Sequence, residues 1–202
     1  LSGEAGMGKS RLLKELRDRL GNAGLHAIHL QCSPHQVHAA FYPSIAYLER
    51  LLGLTRDQPV AFKLDRLDAL VEDQFGRPQA QAALLASLLS IPGDSRYEPL
   101  VDSPHQREQQ TIAALMDLVV AESQQQPMLL VLEDAHWADP ATVSFLRALA
   151  VRARHLALLV VVTYRPEFES GLEPHDHVTS LRMNSLEPAE VTALVARLAG
   201  EL

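Results

Sequence analysis

The sequence predicts an α/β fold in which a mostly parallel sheet carries helices on both faces. Strand-like and helix-like segments alternate along the 202 residues, which is typical of parallel sheets joined by helical crossovers. Two strand-like segments, residues 128–132 and 156–163, are continuously apolar or nearly so, as expected of strands covered on both faces. A glycine-rich turn near the start of the chain also leads directly into a helix.

The individual elements follow from apolar periodicity, prolines and capping residues. Proline is favourable in the first turn of a helix because the N–H there has no helical partner. In chain order, the predicted elements are a helix over residues 9–20, a strand over 25–31, helices opened by Pro43, Pro59 and Pro78, a loop over 91–102, a helix opened by a capping box from Ser103 to Gln106, the strand over 128–132, a helix opened by Asp139-Pro140 and ending near Ala153, the strand over 156–163, a weaker strand over 178–183, and a helix opened by Pro188 whose Val191, Leu194, Val195 and Leu198 face inward.

We expect residues 1–202 to form a single domain. The helical block at about 43–126 is interpreted as an insertion between the second strand and the next, and residues of about 188–202 as the start of a following helical region. The chain begins with Leu1, only two residues before its first motif. We therefore expect a piece of a longer protein, in which the strand before that motif remains only as Leu1.

Composition narrows the classes of function. Hydrophobic residues make up 47% of the chain, so a substantial core is available, and the net charge of −7 argues weakly against general nucleic-acid binding. The single cysteine, Cys32, cannot form an internal disulfide, which favours a reducing cytoplasm. No signal peptide and no apolar stretch of about 18 or more residues is visible, so no membrane span is expected.

The first motif is a complete match to G-x-x-x-x-G-K-[ST], the phosphate-binding loop. Glycines allow the backbone to wrap and aim its N–H groups at phosphate oxygens, and the following helix adds the positive end of its dipole. A chance match on a glycine-rich turn is the alternative, but the required helix follows at once. The motif predicts a nucleoside triphosphate with Mg²⁺, with Lys9 on the β- and γ-phosphates and Ser10 on the metal. The predicted nucleotide contacts are Gly3, Glu4, Ala5, Gly6, Met7, Gly8, Lys9, Ser10 and Arg11.

The second motif is the acidic pair Glu133-Asp134, which directly follows the apolar strand over residues 128–132. An apolar strand ending in two acids is the form of a Walker B motif, in which one acid holds Mg²⁺ and the other orients or deprotonates the attacking water. From their positions, Glu133 is predicted to serve the metal and Asp134 the hydrolysis. The alternative is a core strand that ends in solvated acids, which is common in α/β proteins.

Weaker candidates flank these motifs. The strand over residues 156–163 is followed by Arg165, which could supply charge to a transferring phosphoryl group; a surface arginine is the alternative. His136 is a further candidate for a nucleotide contact, whereas Trp137 is expected to be packed. His26 and His29 lie three residues apart on a strand, so they should face opposite sides and not form one site.

Read together, four segments carry a resemblance to a known family. The AAA-type ATPase module of bacterial multidomain signalling proteins, in the class of signal-transduction ATPases with numerous domains, is similar over nearly the whole chain. The likeness is strongest to the module found between class III adenylate/guanylate cyclase domains and TPR-like repeats, and similar modules occur in large LuxR-type regulators and some serine/threonine kinase fusions. The segments are Gly3–Ser10, residues 32–36 with 41–43, residues 130–140 (LVLEDAHWADP) and residues 162–168 (VTYRPEF).

This resemblance implies a P-loop sheet of strand order 5-1-4-3-2, with ATP at the carboxyl edge. It implies Lys9 and Ser10 as phosphate and Mg²⁺ residues, an acidic pair at Glu133-Asp134 and a sensor at Arg165. It further implies covalently linked partners, namely a cyclase-, kinase- or LuxR-like output domain and TPR-like repeats, and leaves homo-oligomerisation open. One departure is the Glu-Asp order of the acids, where Asp-Asp or Asp-Glu is commoner, so their division of roles stays open.

Three functions are compatible with these observations. The first is a slow ATPase whose nucleotide state regulates the rest of the protein. The second is a module that holds nucleotide structurally without turnover, and the third is a DNA-associated ATPase of the replication-initiator type. The presence of both acids favours the first, and the acidic charge argues against the third.

Overall fold

A computed structural model describes residues 1–21, 25–75, 79–92, 96–100, 103–169, 171–172, 175–185 and 187–199. Within these residues, three strands and seven α-helices follow one another in the predicted order, except that the strand expected over residues 178–183 is missing. They are α1 (Lys9–Gly21), β1 (His26–Gln31), α2 (Tyr42–Leu52), α3 (Val60–Phe75), α4 (Gln79–Leu88), α5 (Pro104–Gln125), β2 (Met128–Glu133), a short 3-10 helix (Ala135–Trp137), α6 (Pro140–Ala153), β3 (Leu158–Val162) and α7 (Pro188–Ala199). The predicted start of the fourth helix at Pro78 lies outside the described residues.

The three strands form one parallel sheet in the order β1-β2-β3. The middle strand, β2, is buried at every residue, which confirms the expectation from its continuous apolar run. In the register of this sheet Gln31 lies opposite Glu133, so β1 and β2 end at the same level. Polar residues at these two strand ends therefore share one edge of the sheet.

The predicted strand over residues 178–183 is not formed as a strand. Ser2 makes isolated parallel bridges with Arg182 on one side and Tyr164 on the other. Its N–H donates to the Leu181 carbonyl at 2.8 Å, and its carbonyl accepts from the Met183 N–H at 2.7 Å. Pairing does not continue past Met183 because the chain turns after Ser2 into the glycine-rich loop.

The sheet separates two apolar clusters, and this separation follows the alternation of side chains along β2. On one face, Leu129 and Val131 pack against Leu13 of α1. On the other, Met128, Leu130 and Leu132 belong to a larger core to which α2–α6 contribute. Helices therefore cover both faces of the sheet, as predicted.

Both predicted helix caps are formed, but they are not equivalent. Ser103 Oγ accepts the Gln106 N–H at 3.5 Å. Asp139 is only 3% exposed, and its Oδ1 accepts the N–H groups of Thr142 at 2.9 Å and of Phe41 at 3.2 Å. Its Oδ2 accepts the Thr142 hydroxyl at 2.5 Å. Asp139 thus ties the start of α6 to the loop before α2, where Phe41 has a left-handed backbone (φ 58°).

We expect Asp139→Ala to destabilise the fold much more than Ser103→Ala does. Loss of a cap costs about 1 kcal/mol, and leaving the buried Phe41 N–H unpaired adds about 1–3 kcal/mol, for a total of roughly 2–4 kcal/mol. Ser103→Ala removes only the cap, so about 1 kcal/mol or less is expected. Urea unfolding followed by circular dichroism measures both losses. Equal losses would show that the bond to Phe41 contributes nothing.

The last helix differs from its predicted packing. Val191 is 45% exposed and Val195 is 58% exposed, so these two residues of the expected inward stripe face solvent. The side chains of Leu194 and Leu198 lie outside the described residues. Apolar periodicity predicts a stripe along a helix, but it does not say what covers that stripe.

In the described part of the chain, no helix combines the length and the apolar character needed to cross a bilayer.

Candidate functional site

The glycine-rich loop, the first turn of α1 and the ends of β1 and β2 converge at the carboxyl edge of the sheet. The Ser10 hydroxyl of α1 donates to Glu133 Oε2 of β2 at 3.0 Å, across 123 residues of sequence. This contact joins the two motifs that sequence analysis singled out separately.

Two glycines in the loop adopt backbone conformations that other residues avoid. Gly6 has φ 81° and Gly8 has φ 83°. A Cβ at either position would meet nothing within 4 Å, so the backbone conformation, rather than crowding, requires glycine there. Gly3 is different, because a Cβ there would lie 3.2 Å from the Cβ and the carbonyl oxygen of Met183.

The side chain of Lys9 lies across the loop. Its Nζ donates to the carbonyls of Gly3 at 2.6 Å and Glu4 at 2.7 Å, and the residue is 8% exposed. Among the described residues, the ammonium group is therefore held by backbone oxygens and not by a carboxylate. The other predicted contacts around it are more open: Glu4, Ala5, Gly6, Gly8, Ser10 and Arg11 are exposed, and Met7 is half-buried.

Glu133 is buried, and both of its carboxylate oxygens are engaged. Oε2 accepts from the Ser10 hydroxyl, while Oε1 lies 2.8 Å from His29 Nε2. An ionised carboxylate only accepts hydrogen bonds, so the second contact requires the tautomer in which Nε2 carries the hydrogen. The carboxylate is thus fixed from α1 on one side and from β1 on the other.

Asp134 is oriented by a different set of contacts. It has a left-handed backbone (φ 56°) directly after β2. Its N–H donates to Thr163 Oγ1 at 3.0 Å, and its Oδ2 accepts from Gln31 Nε2 at 3.0 Å. The two neighbouring acids therefore contact separate partners, and Ser10 contacts only the first of them.

Arg165 lies over the indole ring of Trp137, with its guanidinium carbon 5.7 Å from the ring centroid, which is within cation–π range. The contacts to the acidic pair come instead from Ser10, His29, Gln31 and Thr163. Arg165 therefore lies beside Trp137 and, among the described contacts, makes none with the carboxylates.

The His136 ring contacts the Trp137 ring in a tilted arrangement, with a centroid separation of 5.0 Å. Both of its ring nitrogens are buried and, within the described structure, neither has a hydrogen-bond partner. Burial lowers the pKa of His136 below its ordinary value, while the nearby Asp134 carboxylate acts in the opposite direction. Burial therefore favours the neutral form of the ring.

The structure brings Lys9, Ser10 and Glu133 together, as the motifs predict. Three further side chains contact the acidic pair without having been identified from the sequence, namely His29, Gln31 and Thr163. His29 and Gln31 are two residues apart on β1, so their side chains lie on the same face of the sheet. This signal identifies them only once β1 is known to pair with β2 in this register.

The two histidines of β1 face opposite sides, as predicted. His26 Nε2 lies 3.3 Å from Glu122 Oε2 of α5, whereas His29 contacts Glu133. His26 thus belongs to the other face of the sheet.

The residues present fit a magnesium-bound phosphate group. Mg²⁺ prefers oxygen ligands and keeps several waters, and a hydroxyl and a carboxylate oxygen 3.0 Å apart offer two such ligands. The loop above them is open at Gly6 and Gly8, so backbone can approach a phosphate closely. The N-terminus of α1, which begins at Lys9, adds unpaired N–H groups and a positive dipole end.

Comparison with known proteins identifies a family and a relative. Residues 1–162 match the model of a protein family described as "AAA ATPase domain". Over 192 residues the chain is also 29% identical to a protein of Rhizobium meliloti (strain 1021) that carries the name "Uncharacterized protein R02095". That match covers 94% of this chain and 18% of the relative, so the chain spans less than a fifth of the relative's length.

Proposed function

The chain belongs to the AAA ATPase domain family, and on that premise we propose that it binds ATP with Mg²⁺ and hydrolyses it slowly as a regulatory switch. Membership of the family makes it a nucleotide-binding ATPase module. The observation that carries the finer proposal is the 3.0 Å contact between Ser10 and Glu133, which joins the phosphate-binding loop to the acidic pair.

Binding is assigned to the loop and to α1. Lys9 exchanges its bonds to the Gly3 and Glu4 carbonyls for bonds to β- and γ-phosphate oxygens, while backbone N–H groups of the loop hold the remaining oxygens. Ser10 and Glu133 hold the metal ion. Held there, Mg²⁺ would neutralise negative charge on the phosphates.

Hydrolysis is assigned to Asp134, which orients the attacking water or accepts its proton. The Gln31 amide holds its carboxylate and the Thr163 hydroxyl holds its backbone N–H. Neither contact uses Ser10, so the carboxylate is not engaged at the proposed metal position. Arg165 supplies positive charge near the transferring phosphoryl group, and its contact with Trp137 holds it at this edge of the sheet.

The proposed sheet has the full order 5-1-4-3-2. The strands β1, β2 and β3 correspond to strands 2, 3 and 4 of this order. The bridges of Ser2 to Tyr164 and to Arg182 support a strand 1 at Ser2 that lies between strand 4 and a strand 5 at Arg182. In this order the phosphate-binding loop follows strand 1, between strands 5 and 4, at the carboxyl ends of the strands, where ligands bind in open parallel sheets.

A role within a larger signalling protein is also part of the proposal. The relative from Rhizobium meliloti is more than five times as long as the segment it shares with this chain, as a module joined to further domains would require. In this arrangement the ATP and ADP states differ in their contacts to Arg165 and the acidic pair, and that difference biases a covalently linked output domain.

Release of phosphate from Mg²⁺-ATP by the purified chain tests the proposal. We expect slow release that exceeds the release by a Lys9→Ala variant purified in the same way, because that control loses the phosphate contact but keeps any contaminating activity. Nucleotide binding with no release above the control would instead support a structural nucleotide-binding module.

A further inference from the structure

We propose that His29 is a positioning residue that holds Glu133 in the orientation needed to bind Mg²⁺. The inference rests on the proposed function, since it needs Glu133 to be the protein's acidic metal ligand. The observation behind it is the 2.8 Å contact between His29 Nε2 and Glu133 Oε1.

The sheet register brings these two side chains together. His29 lies opposite Val131, and Gln31 lies opposite Glu133, so His29 sits one pleat before Glu133 on the same face. The side chain of Glu133 is 9% exposed and that of His29 is 29% exposed, so the contact is largely shielded from water. A shielded, charge-assisted hydrogen bond of this length constrains the carboxylate strongly.

The contact also accounts for a glutamate in the first acidic position. Glutamate has one more methylene and one more rotatable bond than aspartate, so its carboxylate has more freedom to lose when it is held in one place. Here His29 occupies Oε1 and Ser10 occupies Oε2. The bond from β1 thereby fixes the longer side chain and leaves the oxygen that faces Ser10 for the metal.

The opposite role for His29 would be to block Glu133 until a ligand displaces it. The division of the two oxygens argues against this role, because His29 does not use the oxygen that faces Ser10. The two roles also predict opposite effects of removing the imidazole. Loss of a positioning residue weakens metal-dependent binding, whereas loss of a block strengthens it.

The test is the Mg²⁺ dependence of binding of a fluorescent ATP analogue to the purified chain, measured at equilibrium. Loss of an outer partner of a metal ligand typically costs about 10–100-fold in metal affinity, so we expect His29→Ala to raise the Mg²⁺ concentration needed for binding at least tenfold. His29→Gln should restore most of this loss, since its amide can donate to the same oxygen.

His26→Ala is the matched control. It removes a histidine from the same strand and breaks a contact to a glutamate, but on the other face of the sheet. We expect it to leave the Mg²⁺ dependence unchanged. If His26→Ala shifts the Mg²⁺ dependence as much as His29→Ala does, the positioning role is overturned, because the effect then comes from general weakening of β1.

A second comparison uses Glu133→Asp. The shorter carboxylate cannot contact Ser10 and His29 together, so adding His29→Ala to this variant should change the Mg²⁺ dependence by less than about twofold; residues in contact are non-additive in this way. If His29→Ala changes the Mg²⁺ dependence as much in the Glu133→Asp variant as in the wild type, the inference is overturned, because His29 would then act independently of Glu133.

Failure of the inference is distinguishable from failure of the proposed function. If the wild-type chain binds the analogue equally well with and without Mg²⁺, the metal role of Glu133 itself is wrong. If the wild type requires Mg²⁺ and His29→Ala keeps the same requirement, only the positioning role is overturned. Tighter Mg²⁺-dependent binding by His29→Ala would show that the histidine blocks the site.

Discussion

Replacing Lys9 by alanine is expected to weaken binding of a fluorescent ATP analogue by about 10–100-fold, because hydrogen bonds to charged groups contribute about 1.5–3 kcal/mol. In the structure the ammonium group is 8% exposed and contacts only loop carbonyls among its described hydrogen bonds, so it can turn to phosphate without breaking an ion pair. Titration of the analogue against wild type and variant measures the loss.

Lys14→Ala is the matched control for this experiment. Lys14 is an exposed lysine on the same helix, so the variant loses the same charge and the same side-chain type without touching the loop. We expect its affinity to match the wild type. If Lys9→Ala binds as tightly as the wild type while its circular dichroism is unchanged, the assignment of the phosphate-binding loop is wrong.

Substitutions of the two acids are expected to impair different steps, hydrolysis for Asp134 and Mg²⁺-dependent binding for Glu133. Asp134→Asn should slow phosphate release by about 100-fold or more while it changes nucleotide affinity only a few-fold, since positioned proton transfer contributes about 10²–10⁴ in rate. Asparagine keeps an oxygen that can accept from Gln31, so the local structure is preserved. Single-turnover phosphate release and equilibrium titration separate the two effects.

Glu133→Gln should show the converse result. The amide keeps the shape of the side chain but removes the negative charge beside Ser10, so we expect Mg²⁺-dependent binding to weaken by about tenfold or more. Binding measured without Mg²⁺ serves as the internal control and should change little. If Glu133→Gln mainly slows release and Asp134→Asn mainly weakens Mg²⁺-dependent binding, the roles of the two acids are exchanged.

The elements that sequence analysis predicted correctly are those that local chemistry specifies. β2 is buried at all of its residues because an uninterrupted apolar run can only be accommodated between two layers. The starts of α5 and α6 were predictable from Ser103 and Asp139, since a capping side chain bonds to backbone N–H groups only three residues away. For both helix starts, the sequence contains both partners of the interaction within one turn.

The predictions that failed depend on distant partners. Residues 178–183 have strand-like character, yet only Arg182 takes part in a bridge, to Ser2, because a strand forms only where a neighbouring strand runs alongside it. Val191 and Val195 lie on the expected apolar stripe of α7 but are exposed. Periodicity describes one surface of such an element, whereas its burial depends on a second surface elsewhere in the chain.

The candidate site divides in the same way. The loop Gly3–Ser10 and the pair Glu133-Asp134 were evident from sequence because each is a continuous segment whose residue types match its chemistry. The partners His29, Gln31 and Thr163 were not, because their contacts to the acids span 104, 103 and 29 residues and arise only from the parallel register of β1, β2 and β3. A one-residue shift in that register would turn His29 to the opposite face, so tertiary pairing alone decides that a histidine holds the first acid.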